Sequence, residues 1–363
     1  MPGARKIRVL IVDDSAIVRR ILTDALAGEP DLEVVGTAPD PYVARDKILA
    51  LDPDVITLDI EMPRMDGLTF LKKLMHFHPM PAIVISSLAQ PSCRAALEAL
   101  QFGAVEVLAK PGGPYSVGEL RHVLASKIRA AAVARLRPQS SVPHAAAPDP
   151  SPQSPSVLPP STVIAIGAST GGTEAIATVL RKFPKNSPGV VIAQHIPPVF
   201  SAAFASRLND TCAIEVREAR DGEPLLPGTA LVAPGDLHMM LRRGTNGFYV
   251  DVRTGPRVCY QRPSVDVLFL SVAEAAGRRA IGALLTGMGS DGAQGLLKMR
   301  QAGARTIAQD EASCVVFGMP REAIERGAAE QVVPLPAIAD AIFTSQSPRP
   351  RPEVDARQYS TLP

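Results

Sequence analysis

From Ile7 to about Arg137 the chain alternates short apolar runs with stretches of helical periodicity, and few folds accommodate that alternation. The runs are Ile7 to Val12, Leu32 to Thr37, Val55 to Leu58, Ala82 to Ile85 and Val105 to Ala109. Strands separated by helix-length crossovers must lie parallel, with helices covering both faces of the sheet. Five repeats predict an α/β, flavodoxin-like (βα)5 domain with strand order 2-1-3-4-5. Ligands of that fold bind at the carboxyl ends of the strands where the order reverses, beside strands 1 and 3.

The residues at those ends carry chemistry. The first strand ends in Asp13-Asp14, the third in Asp59, the fourth in Ser86 and the fifth in Lys110-Pro111. Three carboxylates at one corner repel each other, and a hard cation such as Mg²⁺ relieves the repulsion through oxygen ligands while taking part of its shell from phosphate. A single Asp after a strand more often caps a helix; four matching strand ends argue for a phosphoryl pocket instead. With Asp13-Asp14, the run Asp59-Ile60-Glu61-Met62-Pro63-Arg64-Met65-Asp66-Gly67 and Lys110-Pro111, residues 5 to 130 resemble the receiver domain of two-component response regulators. The resemblance implies that Asp59 accepts a phosphoryl group from a histidine kinase. It also implies Mg²⁺ near Asp13, Asp14, Asp59 and the Glu61 backbone carbonyl, in a pocket that includes Ser86 and Lys110. Val107 stands where many receivers carry an aromatic switch residue.

A second apolar run, Val163 to Ile166, ends in Gly167-Ala168-Ser169-Thr170-Gly171-Gly172-Thr173 and passes at once into a helical pattern of Ala175, Ile176, Val179 and Leu180. Ser169 is thus expected between a buried strand and a helix start, where glycines let a substrate approach and backbone N–H groups favour a developing oxyanion. The Gly-x-Ser-x-Gly spacing is that of a nucleophile elbow, although small residues in a turn also bind phosphate or simply pack tightly. A nucleophile needs a base and an orienter. The strand Val190 to Gln194 ends in His195, and the strand Ala280 to Leu285 is followed by Thr286-Gly287-Met288-Gly289-Ser290-Asp291-Gly292. In a doubly wound, mostly parallel sheet these ends share one edge, so Ser169, His195 and Asp291 make a candidate nucleophile, base and orienter. His238 is a rival base, and the sequence leaves that choice open. The order Ser, His, Asp differs from the Ser, Asp, His order of α/β-hydrolases.

Gly287-x-Gly289-x-x-Gly292 also matches a dinucleotide fingerprint, with Asp310 about 20 residues on. It comes late in its domain, however, and puts the Asp291 carboxylate where a pyrophosphate would pass. Gly235 to Pro256 reads as a hairpin around Asn246-Gly247 and a candidate antiparallel edge; Ser264 reads as the cap of a following helix, with a role in gripping substrate as the alternative.

With Ser169, His195 and Asp291 set beside Gln194-His195-Ile196-Pro197, Ala233-Pro234-Gly235, Arg262-Pro263-Ser264-Val265-Asp266 and Ala308-Gln309-Asp310, residues 162 to 343 resemble the effector domain of the CheB family of chemotaxis protein-glutamate methylesterases. The resemblance implies that Thr170 and Met288 line the oxyanion site. It implies as substrate the γ-glutamyl methyl esters of methyl-accepting chemoreceptors, with no cofactor for the hydrolysis. Deamidation of glutamine side chains follows from the same acyl intermediate, with a poorer leaving group.

The expected layout is a receiver over residues 1–137, a Pro-rich linker over 138–160, a catalytic domain over 161–345 and a disordered tail over 346–363. Lys+Arg 38 against Asp+Glu 36 gives a net charge of +2, without the basic balance of a nucleic-acid binder. The four cysteines, Cys93, Cys212, Cys259 and Cys314, are scattered and make neither a disulfide framework nor a zinc site. The apolar run after Arg5, Lys6 and Arg8 is too short for a signal peptide, and no stretch approaches a membrane span, so a cytoplasmic location is expected. Two rivals of other classes are a non-enzymatic response regulator whose second half only binds a partner, and a nucleotide-dependent oxidoreductase.

Overall fold

The computed structural model describes residues 5–110, 117–136 and 158–344. Most of the expected linker and all of the expected tail lie outside the described residues. The first half folds as β1 (Ile7–Val12), α1 (Ala16–Leu26), β2 (Leu32–Ala38), α2 (Pro41–Leu51), β3 (Val55–Asp59), α3 (Gly67–Phe77), β4 (Ala82–Ser86), α4 (Gln90–Gln101), β5 (Glu106–Ala109) and α5 (Val117–Ala132). The sheet is parallel with order β2-β1-β3-β4-β5, as the alternation predicts. Apolar residues occupy both faces of its central strands: Leu10, Ile56, Leu58 and Val84 belong to one buried cluster and Val9, Ile11, Val55 and Ile83 to another. Such two-sided burial is what parallel strands between helical layers require.

The second half continues with β6 (Val163–Ala168), α6 (Gly172–Leu180), β7 (Gly189–Gln194), α7 (Phe200–Thr211), β8 (Glu215–Glu218), β9 (Thr229–Val232), β10 (His238–Gly244), β11 (Gly247–Arg253), α8 (Val265–Ala276), β12 (Ala280–Leu284), α9 (Ala293–Gln301), β13 (Arg305–Gln309), α10 (Met319–Glu325), β14 (Gln331–Val333) and α11 (Ile338–Phe343). Seven strands form a sheet in the order β14-β13-β12-β6-β7-β9-β8, parallel at every pairing. The chain leaves β6 towards β7 on one side and later returns to β12 on the other. That reversal opens a crevice at the carboxyl end of β6, the usual place for a ligand in this architecture. Ser169 follows β6 directly.

The hairpin departs from expectation. β10 and β11 pair with each other as a separate two-stranded sheet packed on α8, with Tyr249 of β11 also bridging Pro224, and are not an edge of the main sheet. Gly244 pairs with Gly247, so the connecting residues are Thr245-Asn246 and the glycine of Asn246-Gly247 closes the turn from outside it.

The receiver lies against the crevice side of the second domain. Ala96, Leu97 and Leu100 of α4 belong to the same buried cluster as Phe204 and Leu208 of α7. Arg207 Nη1 donates to the Leu97 carbonyl at 2.9 Å. At the other end of the contact Arg135 pairs with Glu311 at 2.7 Å, and its backbone N–H donates to the Val315 carbonyl at 3.0 Å.

Candidate active site

In the register of β6 against β7, Ala168 lies opposite Gln194, which makes Ser169 and His195 neighbours one step beyond the paired strands. The turn that holds Ser169 is fastened from three directions. Its N–H donates to the Thr286 carbonyl at 3.0 Å, while its carbonyl accepts from the Gly172 N–H at 2.7 Å and from Gln194 Nε2 at 2.9 Å. Gly171, before α6, has φ 74°, a conformation that costs other residues energy. Gly287 passes so close that a Cβ there would lie 2.7 Å from that of Ser169.

His195 is buried and its Nε2 lies 2.7 Å from Asp291 Oδ2. An ionised carboxylate only accepts, so Nε2 carries the proton and Nδ1 the lone pair. Nδ1 is buried with no hydrogen-bond partner. Ser169 Oγ makes no hydrogen bond with the imidazole among the described residues. Asp291 also accepts from Ser264 Oγ at 2.8 Å, Val265 N–H at 2.7 Å and Asp266 N–H at 3.0 Å. Burial pushes its carboxyl up, but the His195 bond and charge, with the other donors, outweigh burial and hold it below the ordinary carboxylate value. The sequence-level rival, His238, faces elsewhere: its Nε2 meets the Pro256 carbonyl at 2.9 Å and its Nδ1 meets the Ser264 N–H at 3.3 Å.

The receiver roofs this site. Thr170 Oγ1 donates to Glu106 Oε2 at 2.9 Å, and Lys127 Nζ bridges the same carboxylate oxygen at 2.5 Å and Thr170 Oγ1 at 3.4 Å. A cavity of ≈ 530 Å³ separates the domains, lined by His195, Met288 and Asp291 on one side and by Glu106, His122 and Lys127 on the other. On its rim Tyr260 stacks on His122 with ring centroids 6.5 Å apart. Ser169 itself is only 3% exposed.

At the receiver's own strand ends, carboxylate oxygens of Asp13, Asp14 and Asp59 lie within 4.8 Å of one another. Lys110 Nζ reaches Asp59 Oδ2 at 2.7 Å and Asp13 Oδ2 at 3.5 Å. Burial, reinforced by the charge of Asp13, pushes the Asp59 carboxyl up to about 6 against the opposing Lys110. Asp13 is raised as well, again chiefly by burial. Asp13 Oδ2 is buried without a hydrogen-bond partner, so the corner holds more acceptor capacity than the protein satisfies. That donor set suits a hard, oxygen-seeking cation. Ser86 ends β4 fully buried, and its hydroxyl donates to the Ser87 and Ser92 carbonyls at 3.3 Å each. The Glu61 N–H donates to Asp59 Oδ1 at 3.2 Å, and the Glu61 carboxylate accepts from Ser92 Oγ. Val107 is a buried part of β5.

Sequence reasoning overlooked Glu106 and Lys127, although one signal was present: an acid inside the apolar run Val105 to Ala109 needs a buried partner. The partnership of Ser264 with Asp291 had no signal beyond the cap pattern, because it joins segments 27 residues apart.

Residues 164–342 match the family model described as CheB methylesterase, and residues 9–122 match that of the response regulator receiver domain. The chain is 57% identical over 338 residues to a protein-glutamate methylesterase/protein-glutamine glutaminase of Syntrophus aciditrophicus, covering 93% of this chain and 98% of the relative. It is 52% identical to the corresponding protein of Salmonella typhimurium, covering 94% of this chain and 97% of the relative. The Thermotoga maritima CheB methylesterase catalytic domain aligns with a TM-score of 0.49 at 37% identity, covering 50% of this chain and 97% of that one. This chain, a receiver followed by a CheB methylesterase domain, belongs to the protein-glutamate methylesterase/protein-glutamine glutaminase family.

Proposed function

We propose that this chain hydrolyses γ-glutamyl methyl esters on chemoreceptors and releases methanol, with Ser169 as nucleophile, His195 as base and Asp291 as orienter. The observation that carries the reading is the His195–Asp291 bond beside an elbow serine, with Nδ1 of the same imidazole left unpaired. Ser169 Oγ attacks the ester carbonyl while its proton passes to Nδ1. The tetrahedral intermediate collapses, and Nδ1 returns that proton to the departing methoxide. Water then attacks the acyl-serine by the same route, regenerating the serine and freeing the glutamate. The Thr170 and Met288 amides, which make no hydrogen bond among the described residues, are suited to hold the oxyanion, whereas the Ser169 amide is occupied by Thr286. A glutamine side chain enters the same path with ammonia as leaving group, which makes the second activity a protein-glutamine glutaminase.

The receiver supplies control. Asp59 is the phosphoryl acceptor, fed by a chemotaxis histidine kinase, and Ser86 and Lys110 complete its pocket. Asp13, Asp14, Asp59 and the Glu61 carbonyl would hold Mg²⁺, which when bound offsets the charge of the acid corner and the incoming phosphoryl group. In the docked arrangement Glu106 and Lys127 hold the receiver over Thr170, and phosphorylation weakens that arrangement. Loosening it from mostly closed to mostly open needs roughly 5 kcal/mol of differential stability. The division into a receiver over 1–137, a linker over 138–160 and a catalytic domain over 161–345 lets one domain leave the other without breaking either core. No helix among the described residues is long and apolar enough to cross a membrane. We place the enzyme in the cytoplasm, where it meets the receptors' methylated segments.

The test is methanol release from methyl-labelled receptor membranes, comparing the wild-type chain with Ser169→Ala. Loss of release in the variant supports the reading. Release at the wild-type rate would leave the second half a binding module and defeat it.

A further inference from the structure

Ser264 and His238 take no part in the steps above, yet a continuous set of hydrogen bonds joins them to Asp291. The Pro256 carbonyl only accepts, so His238 Nε2, 2.9 Å away, carries the proton and Nδ1 is an acceptor. Into Nδ1 points the Ser264 N–H at 3.3 Å. The Ser264 hydroxyl accepts from the Val267 N–H at 3.3 Å, closing the first turn of α8, and spends its single proton on Asp291 Oδ1 at 2.8 Å. The next two amides of the helix, Val265 and Asp266, donate to Oδ2 and Oδ1 of the same carboxylate. Each Asp291 oxygen therefore has two donors: Ser264 and Asp266 on Oδ1, His195 and Val265 on Oδ2. Four donors on two oxygens fix the plane of the carboxylate as well as its position, and that plane sets where the His195 ring stands.

We propose that Ser264 is a positioning residue for ester hydrolysis and that His238 acts through it: His238 holds the Ser264 amide, Ser264 holds Asp291, and Asp291 holds His195 with its lone pair on Nδ1. The inference rests on the reading of Ser169, His195 and Asp291 as the reacting unit. The Ser264 hydroxyl and both ring nitrogens of His238 are spent on hydrogen bonds within the protein, whereas His195 keeps Nδ1 unpaired. Without the Ser264 hydroxyl, Asp291 keeps its charge and three donors but can swing about the remaining ones. The chemical step then slows while substrate binding does not change.

The experiment uses the full-length protein treated with phosphodonor, with methanol release from receptor membranes as the rate. Thermal melts establish that each variant is folded at the assay temperature. Ser264→Ala is expected to lower kcat roughly ten- to hundredfold at unchanged KM, and Ser264→Thr to recover most of the loss. The low-field proton resonance of the His195–Asp291 bond is expected to move in Ser264→Ala and to return in Ser264→Thr, which loss of a helix cap alone would not produce. His238→Asn, whose Oδ1 can stand in for Nδ1, is expected to stay within about threefold of wild type, while His238→Gln loses roughly tenfold. The His238 pair decides the matter if Ser264→Ala does not fold. A wild-type kcat in folded Ser264→Ala, or equal rates in the two His238 variants, overturns the proposal. Ser169→Ala separates the two levels: if it is active, the reading of the site fails. If it is inactive while Ser264→Ala is fully active, only the positioning role falls.

Discussion

Two carboxylates occupy matching places in the two domains, and their protonation equilibria are displaced in opposite directions. Asp59 and Asp291 are 1% and 2% exposed; the first is the last residue of β3 and the second stands in the loop after β12, both at the carboxyl ends of parallel sheets. Burial alone raises both. What differs is the supply of donors. Asp291 receives two backbone amides, a hydroxyl and an imidazole, and stays ionised below the ordinary range. Asp59 has one lysine and one amide, faces the like charge of Asp13, and rises to about 6. One corner is complete and serves as a fixed anion. The other is short of positive charge, which is the condition of a site that gains a cation and a phosphoryl group.

Removing the proposed reacting groups on the completed side is expected to have the largest effect. Ser169→Ala, His195→Ala and Asp291→Asn should each lower methanol release by roughly three to four orders of magnitude, with double variants little worse than singles because the three act together. Additive losses in the doubles would show that they do not form one unit. On the incomplete side, Asp59→Asn should abolish labelling by a phosphorylated cognate kinase, since the amide is nearly isosteric but cannot accept the phosphoryl group. Labelling at the wild-type rate would mean another acceptor.

The contact between the two regions comes next in size. Glu106→Ala removes the acceptor shared by Thr170 and Lys127 and is expected to raise basal release roughly five- to tenfold, from a loss of about 1 kcal/mol in docking. An unchanged basal rate would separate that contact from the control of activity.

The opposite displacements of the two carboxylates also leave a mark on stability. Because the folded-state value of Asp59 lies above the unfolded value, this group favours the folded state most below about pH 4, and that contribution is lost as pH rises through about 6. Asp59→Asn should therefore gain stability over wild type between those values, by about 3 kcal/mol at most, and hold the gain above pH 7. Asp291 is lowered, so its contribution is present at neutral pH and is lost on acidification. Asp291→Asn should cost about 1–3 kcal/mol near pH 7. Urea melts of both variants from pH 4 to 8, without added Mg²⁺, read the two signs; equal signs would remove the distinction between the corners.

Much of this architecture is legible in the sequence because strand ends announce themselves. Asp13, Asp59, Ser169 and His195 each follow a short apolar run, and a parallel sheet brings such ends to one edge whatever the loops do. Asp291 stands several residues past β12 and becomes a candidate by the same logic only because glycines mark the loop between. The choice between the two candidate bases is a harder case. His195 and His238 are both buried, and nothing local distinguishes an imidazole facing a carboxylate from one facing a helix cap; the α8 N-terminus, placed by packing against the hairpin, makes the distinction. Glu106 and Lys127 lay further from reach, since their partner Thr170 belongs to the other domain and the meeting exists only after docking. The hairpin was misplaced as an edge because alternation reveals a strand without naming its neighbour.

We propose that a complete hydrolytic site is held shut by a receiver whose own site is incomplete. Methanol release from receptor membranes tests this with three proteins: the wild-type chain, Asp59→Asn, and a fragment cut at about residue 138. Phosphodonor should raise release by the wild-type chain and leave Asp59→Asn at the basal rate, while the fragment should exceed that basal rate and ignore phosphodonor. A fragment shown folded by circular dichroism but no more active than the unphosphorylated full-length protein would contradict the account, because the receiver would then complete the site instead of covering it.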